Sequence, residues 1–236
     1  MRPLPATTPG GDLVPAIDVA LAARADPERA VGQQRYMKSR LPYLGLTSPV
    51  LRQAVRPVLA DPAYRIAERS EWERTVRHLW KHATHREHWY AALALLAHRH
   101  YRTWRDPQVL PLLEDLIRDG AWWDVVDSIA THEVRDLLLG WPGEIAPTLR
   151  RWSRDRSLWV RRAAILAQVG AKDRTDPALL SELIQPNLMD PDFFSRKAIG
   201  WALRDYARTD PAWVRTFVAA RPELSALSRR EALKHL

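Results

Sequence analysis

A motif that returns after 35 residues constrains this chain more than any bulk property. Leu158-Trp159-Val160-Arg161-Arg162-Ala163-Ala164-Ile165 recurs loosely as Phe193-Phe194-Ser195-Arg196-Lys197-Ala198-Ile199-Gly200, 35 residues later. His88-Trp89-Tyr90-Ala91-Ala92-Leu93 is an earlier echo. A unit of this size holds a helix pair that cannot bury its apolar face alone. Stacking such pairs buries one continuous core.

The local signals agree with helices. Asp26-Pro27, Ser48-Pro49, Asp106-Pro107, Asp176-Pro177 and Asp210-Pro211 each set a capping side chain before a proline. The side chain can accept from a free backbone amide, and the proline loses a donor that had no partner. Ser70 with Glu73 has capping-box spacing. Val109, Leu112, Leu113, Leu116 and Ile117 follow helical periodicity. The pattern predicts helices over 12–23, 27–38, 49–60, 71–82, 86–101, 107–118, 122–128, 131–139, 143–153, 157–169, 177–185, 192–208, 211–220 and 227–235. No segment alternates as a strand does. The expectation is an all-α, HEAT-like helical repeat (an α-solenoid) with a concave basic groove. Residues 1–24 read as an extension ending in one packing helix, and 25–236 as a single domain.

Charge narrows the partners. The 236 residues carry 36 Lys and Arg against 28 Asp and Glu, a formal +8, which favours polyanions through counterion release. A solvated basic surface is the plainer reading. There is no cysteine, so thiolate metal sites and disulfides are excluded. Neither a leader-like apolar start nor a spanning apolar run is present, and a cytoplasmic, DNA-associated protein is expected. Eleven tryptophans are costly to leave exposed; most belong to the core, and some suit a binding platform.

The 35-residue register predicts which residues share a surface. From Arg162 it reaches back to Asp127 and forward to Lys197. Trp123 precedes Asp127 by four, Trp201 follows Lys197 by four, and Arg204 lies three further on. Such spacings put side chains on one helix face. The strip holds a carboxylate, three cations and two indoles. Two readings stand open: a reactive, polyanion-holding surface, or an inter-repeat salt bridge from Asp127 to Arg162 with core tryptophans.

Trp122-Trp123-Asp124-Val125-Val126-Asp127, Trp159 through Ile165, and Lys197 through Tyr206 together resemble the AlkD family of DNA alkylation repair glycosylases. Tyr36-Met37-Lys38 with Leu44-Gly45 is similar to its N-terminal signature, and Leu227 through Ala232 to its C-terminal one. The resemblance covers about residues 30 to 236. It implies hydrolysis of the N-glycosidic bond of cationic N3- and N7-alkylated purines, such as 7-methylguanine and 3-methyladenine, in double-stranded DNA. It assigns Asp127 as the catalytic carboxylate, Trp123 and Trp201 as groove tryptophans, and Arg162 as a phosphate-binding arginine. Arg204, Lys197 and Tyr36 fall at further DNA-proximal positions. No cofactor and no metal are implied, and a monomer is expected. The rival expectations are a non-catalytic nucleic-acid binder and a protein-interaction scaffold.

Other signals carry less. His78, His82, His85 and His88 have spacings that zinc can use. Thr84 is expected to cap a new helix, which breaks their common face, so a basic solvated turn is favoured. Asp124 is assigned a structural role and Trp122 a place in the core. Tryptophans 72, 80, 89, 104, 141, 152, 159 and 213 read as packing.

Overall fold

Four of the Asp-Pro steps open helical segments as expected. In a computed structural model describing residues 10–236, Asp26 accepts from the Arg29 amide at 2.9 Å and Asp210 from the Trp213 amide at 2.9 Å. Asp176 accepts from the amides of Ala178 and Leu179. Asp106 caps a short 3-10 turn that runs into the next helix. Three expected caps are absent. The residue before the Ser48 helix is Thr47, whose side chain makes no capping bond. Ser70 lies inside its helix, and Glu73 pairs with Arg69 at 2.9 Å instead. Thr84 is not the cap of the next helix either; His85 stands at its N-cap.

The described residues form fourteen α-helices and no strand. The first five are α1 (Leu13–Ala22), α2 (Pro27–Met37), α3 (Ser48–Ala60), α4 (Arg69–Lys81) and α5 (Arg86–Leu96). Then come α6 (Leu110–Gly120), α7 (Trp123–Ser128), α8 (Arg135–Gly140), α9 (Pro142–Trp152) and α10 (Leu158–Leu166). The last four are α11 (Pro177–Ile184), α12 (Phe193–Tyr206), α13 (Pro211–Ala219) and α14 (Ala226–Ala232). This is an all-α helical-repeat fold.

Two stretches depart most from the sequence reading. The helix expected over 86–101 ends at Leu96, and a 3-10 segment over Arg99–Trp104 follows. There Tyr101 stacks on Trp104 with ring centres 5.2 Å apart. The helices expected over 122–128 and 131–139 are joined by a π-helical segment at Ile129–Val134. Neither Gly nor Pro falls between Ala121 and Leu139 to break the chain. Ile129, Ala130 and Val134 are all buried, so continuous packing outweighs a turn. Thr131 donates its hydroxyl to the Asp127 carbonyl at 2.8 Å where the helix widens. Such π insertions recur at functional sites.

The chain divides into two compact units, residues 1–104 and 105–236. In the first, α1 packs on α3 and α5 through buried Leu13, Ile17 and Leu21. Residues 1–9 of the expected extension lie outside the described residues. Fully buried Glu87 accepts from the backbone amides of Leu44, Gly45 and Leu46 at 2.9, 2.9 and 3.1 Å. Gly45 has φ 93°, and a β-carbon there would lie 2.0 Å from the Asp26 carbonyl oxygen. Only glycine fits that approach, which explains the Leu44-Gly45 pair.

In the second unit α7, α10, α12 and α14 pack in succession as one row. Helices α9 and α11 back α10, and α13 backs α12 and α14. Contacts across neighbouring repeats keep the 35-residue register. Asp127 meets Arg162, and the Gly170 amide donates to Asp205 at 2.6 Å, each pair 35 apart. In the first unit the Ile66 amide donates to the Tyr101 hydroxyl, also 35 apart.

Candidate functional site

Helix α7 starts at Trp123, so Trp123 and Asp127 stand one turn apart, both partly buried. Arg162 reaches Asp127 from α10 and binds it through both carboxylate oxygens. Nε donates to Oδ1 at 2.7 Å and one terminal nitrogen to Oδ2 at 2.7 Å. The other terminal nitrogen donates to the Phe194 carbonyl at 2.7 Å, at the start of α12. One guanidinium thus ties three successive elements. Arg162 is only 5% exposed, and the Asp127 side chain keeps 14%.

Guanidinium has five N–H donors. Three are committed here, which leaves two on a nearly covered side chain. Arg162, expected to hold a phosphate, is first the partner of Asp127. Its neighbour Arg161 turns away and pairs with Asp190 at 2.7 Å. Burial pushes the Asp127 carboxyl above its usual value. Arg162 pulls it partly back, and nearby Asp124 adds to the rise.

Aromatic rings wall this pair. Trp122, Trp159 and Phe194 have centres 5.0 to 5.7 Å apart. The Arg162 guanidinium lies 5.9 Å from the Phe194 ring centre. Trp122, expected in the core, and Trp159, expected as packing, are both partly exposed within this cluster. Phe193 beside them is 56% exposed. Register carried the signal: Phe194 stands 35 residues after Trp159, so the row repeats an aromatic position.

The other two cations of the strip have a partner that the sequence reading missed. Lys197 Nζ lies 3.0 Å from one oxygen of Glu231, and Arg204 binds the other oxygen. Lys197 and Arg204 hold the Glu231 carboxyl below its usual value, the lysine bond contributing most. The expected strip is therefore two groups, Asp127 with Arg162 and Glu231 with Lys197 and Arg204. Trp201 is partly exposed on α12, between the two cations. Tyr36 is on α2 in the first unit and is 76% exposed.

The histidine run does not gather. His78 and His82 face one another with ring centres 4.4 Å apart, while His88 binds Asp18 at 3.0 Å through Nε2. Among the described residues no group of three or more His, Asp or Glu could hold a metal ion. Nor is any described helix long and apolar enough to cross a membrane.

A family model for DNA alkylation repair enzymes matches residues 17–236. A solved structure described as a predicted DNA alkylation repair enzyme from Enterococcus faecalis is similar to this chain, with a TM-score of 0.76 and 26% sequence identity. The match covers 90% of this chain and 96% of that one. No curated protein matches. The family match spans both ion-pair groups and the aromatic wall, and the chain belongs to the DNA alkylation repair enzyme family.

Proposed function

We propose that this protein is a monofunctional DNA glycosylase for cationic N3- and N7-alkylated purines in duplex DNA. It acts as a monomer, without a cofactor, in the cytoplasm and on DNA. The observation that carries the reading is the largely buried carboxylate of Asp127, 14% exposed and held at both oxygens by Arg162.

An alkylated purine already bears positive charge, so it departs without a general acid. The C1′–N bond breaks with its electron pair going to the base. Cationic character builds on the deoxyribose, as in other glycosyl transfers. Asp127 stabilises that charge and accepts the proton of the attacking water. Two unit charges about 4 Å apart interact by roughly 4 kcal/mol at an effective dielectric near 20, so one aimed carboxylate matters. Arg162 fixes where the carboxylate points and offers its remaining donors to a phosphate. Trp123 and Trp201 cover the sugar and favour a cation through their ring faces. Lys197 and Arg204 hold flanking backbone on the second unit, and Tyr36 is a further DNA-contacting position on the first.

The bidentate pair also suits an inter-repeat tie in a nucleic-acid binder without chemistry. Release of 7-methylguanine or 3-methyladenine from methylated duplex DNA separates the two readings. Asp127→Asn should lower the single-turnover rate by about a hundredfold or more, the size of losing one key electrostatic group. DNA binding should persist. Near-normal excision by the folded variant removes Asp127 from the mechanism. Binding without any base release by wild type favours the binder.

A further inference from the structure

Lys197 and Arg204 sit seven residues apart on α12, roughly 10 Å along the helix axis. Left alone, two flexible like charges at that distance diverge. Here both converge on one carboxylate, Glu231 of α14. We propose that Glu231 is a positioning residue that locks Lys197 and Arg204 into one phosphate clamp. The proposal rests on the reading that these two cations hold the DNA backbone.

Three observations favour a lock over a carboxylate that competes with DNA. First, Glu231 cannot easily withdraw. Its β-carbon is so close to α12 that a β-carbon on Gly200 would fall 2.5 Å from it. The Ser228 hydroxyl donates to the Arg196 carbonyl at 2.9 Å, and Ser225 caps α14 through the Ser228 amide, so the helix is seated on its neighbour. Second, each cation spends only part of its capacity. An ammonium has three donors and a guanidinium five, and Glu231 takes one nitrogen of each side chain. The Lys197 side chain is still 38% exposed, against 15% for Glu231. Third, two cations against one carboxylate leave the group with a net positive charge. A phosphodiester meets donors already brought together, with their mutual repulsion partly offset.

The test is a double-mutant cycle on the full chain, read as affinity for an undamaged DNA duplex across a salt series. The variants are Glu231→Gln, Lys197→Ala with Arg204→Ala, and all three together. Loss of the two cations should weaken binding and flatten the log–log salt slope by about two, one for each phosphate contact. Glu231→Gln alone should weaken binding about fivefold and flatten the slope by about one, as expected for directly coupled groups. Added to the cation-free background it should change nothing. Thermal melting checks each fold, and Glu231→Ala replaces the glutamine variant if that one does not fold.

Tighter binding with a steeper slope in Glu231→Gln would make Glu231 a competitor and overturn the proposal. An undiminished effect of Glu231→Gln in the cation-free background would do the same, because it would mark general helix support. If removing both cations leaves affinity at the wild-type level, the phosphate reading of Lys197 and Arg204 fails, and the clamp with it. That outcome differs from the other two by the behaviour of the cation-free protein itself.

Discussion

Asp127 and Glu231 are both carboxylates that bind arginine across neighbouring helices, yet their protonation is pushed in opposite directions. Burial lifts Asp127, and its single arginine restores only part of the loss. Glu231 is pulled down because a lysine and an arginine share it. The first group is electrically balanced and nearly covered; the second carries an excess cation and stays more open. On the proposed reading, the difference is a division of labour along the row α7, α10, α12 and α14. Where the row needs a defined carboxylate, one arginine is spent to aim it. Where it needs positive charge, one carboxylate is spent to gather it.

The comparison breaks most severely at Arg162. Removing one partner of a covered pair strands the other charge, which costs far more than the pair itself is worth. Arg162→Ala should cost about 3 kcal/mol of stability, measured by chemical denaturation. Arg162→Lys should fall between, because a point charge cannot copy a two-point contact. A loss below about 1 kcal/mol would place the pair among exposed bridges and remove the contrast with Glu231.

A smaller effect is expected at Gly200. A methyl group there would press into Glu231 and the Ser228 carbonyl, which lies 3.1 Å from the added atom. Gly200→Ala should cost about 2 kcal/mol, as overpacking does, by lifting α14 from α12. If Glu231 needs that seat, the variant should also flatten the salt dependence of DNA binding. An unchanged slope in a destabilised protein would separate the packing of α14 from the arrangement of its carboxylate.

Much of this arrangement was legible in the sequence. The recurrence fixed the partnership of Asp127 and Arg162, because stacked repeats bring equal positions together. It also predicted the helix that carries Lys197, Trp201 and Arg204. It did not yield Glu231. Stepping 35 from Lys197 lands on Ala232, which is fully buried, and the contact with Lys197 comes from the residue before it. The terminal helix packs through Gly200 at closer range than the register assumes, so the repeat rule slips by one. Charge spacing left Arg162 open between a phosphate-holding cation and a salt-bridge partner of Asp127, since a linear pattern does not show which donors a partner has already taken. The π turn at Ile129–Val134 was missed for a related reason: apolar residues there fit either of two short helices, and only burial on both sides joins them.

The finest contrast is in pH dependence. Base release that needs an ionised Asp127 should be flat at high pH and fall as pH drops through a value above the ordinary carboxylate pKa of about 3.9. The raised native value means the folded protein holds that proton more tightly than the unfolded chain. Asp127 therefore favours the fold at low pH, a contribution that is lost as pH rises through the raised value. Glu231 has the opposite sign. Its lowered native value adds stability above the unfolded value near 4.3, and the gain disappears as pH falls through the lower one. On acidification, excision should thus fail while the Glu231 cluster is still charged and DNA is still bound. Single-turnover excision and duplex binding, followed on the same samples from neutral to acid, read the two events separately. If both fall together at the ordinary carboxylate value, the two groups share one environment and the proposed division between aiming and gathering is lost.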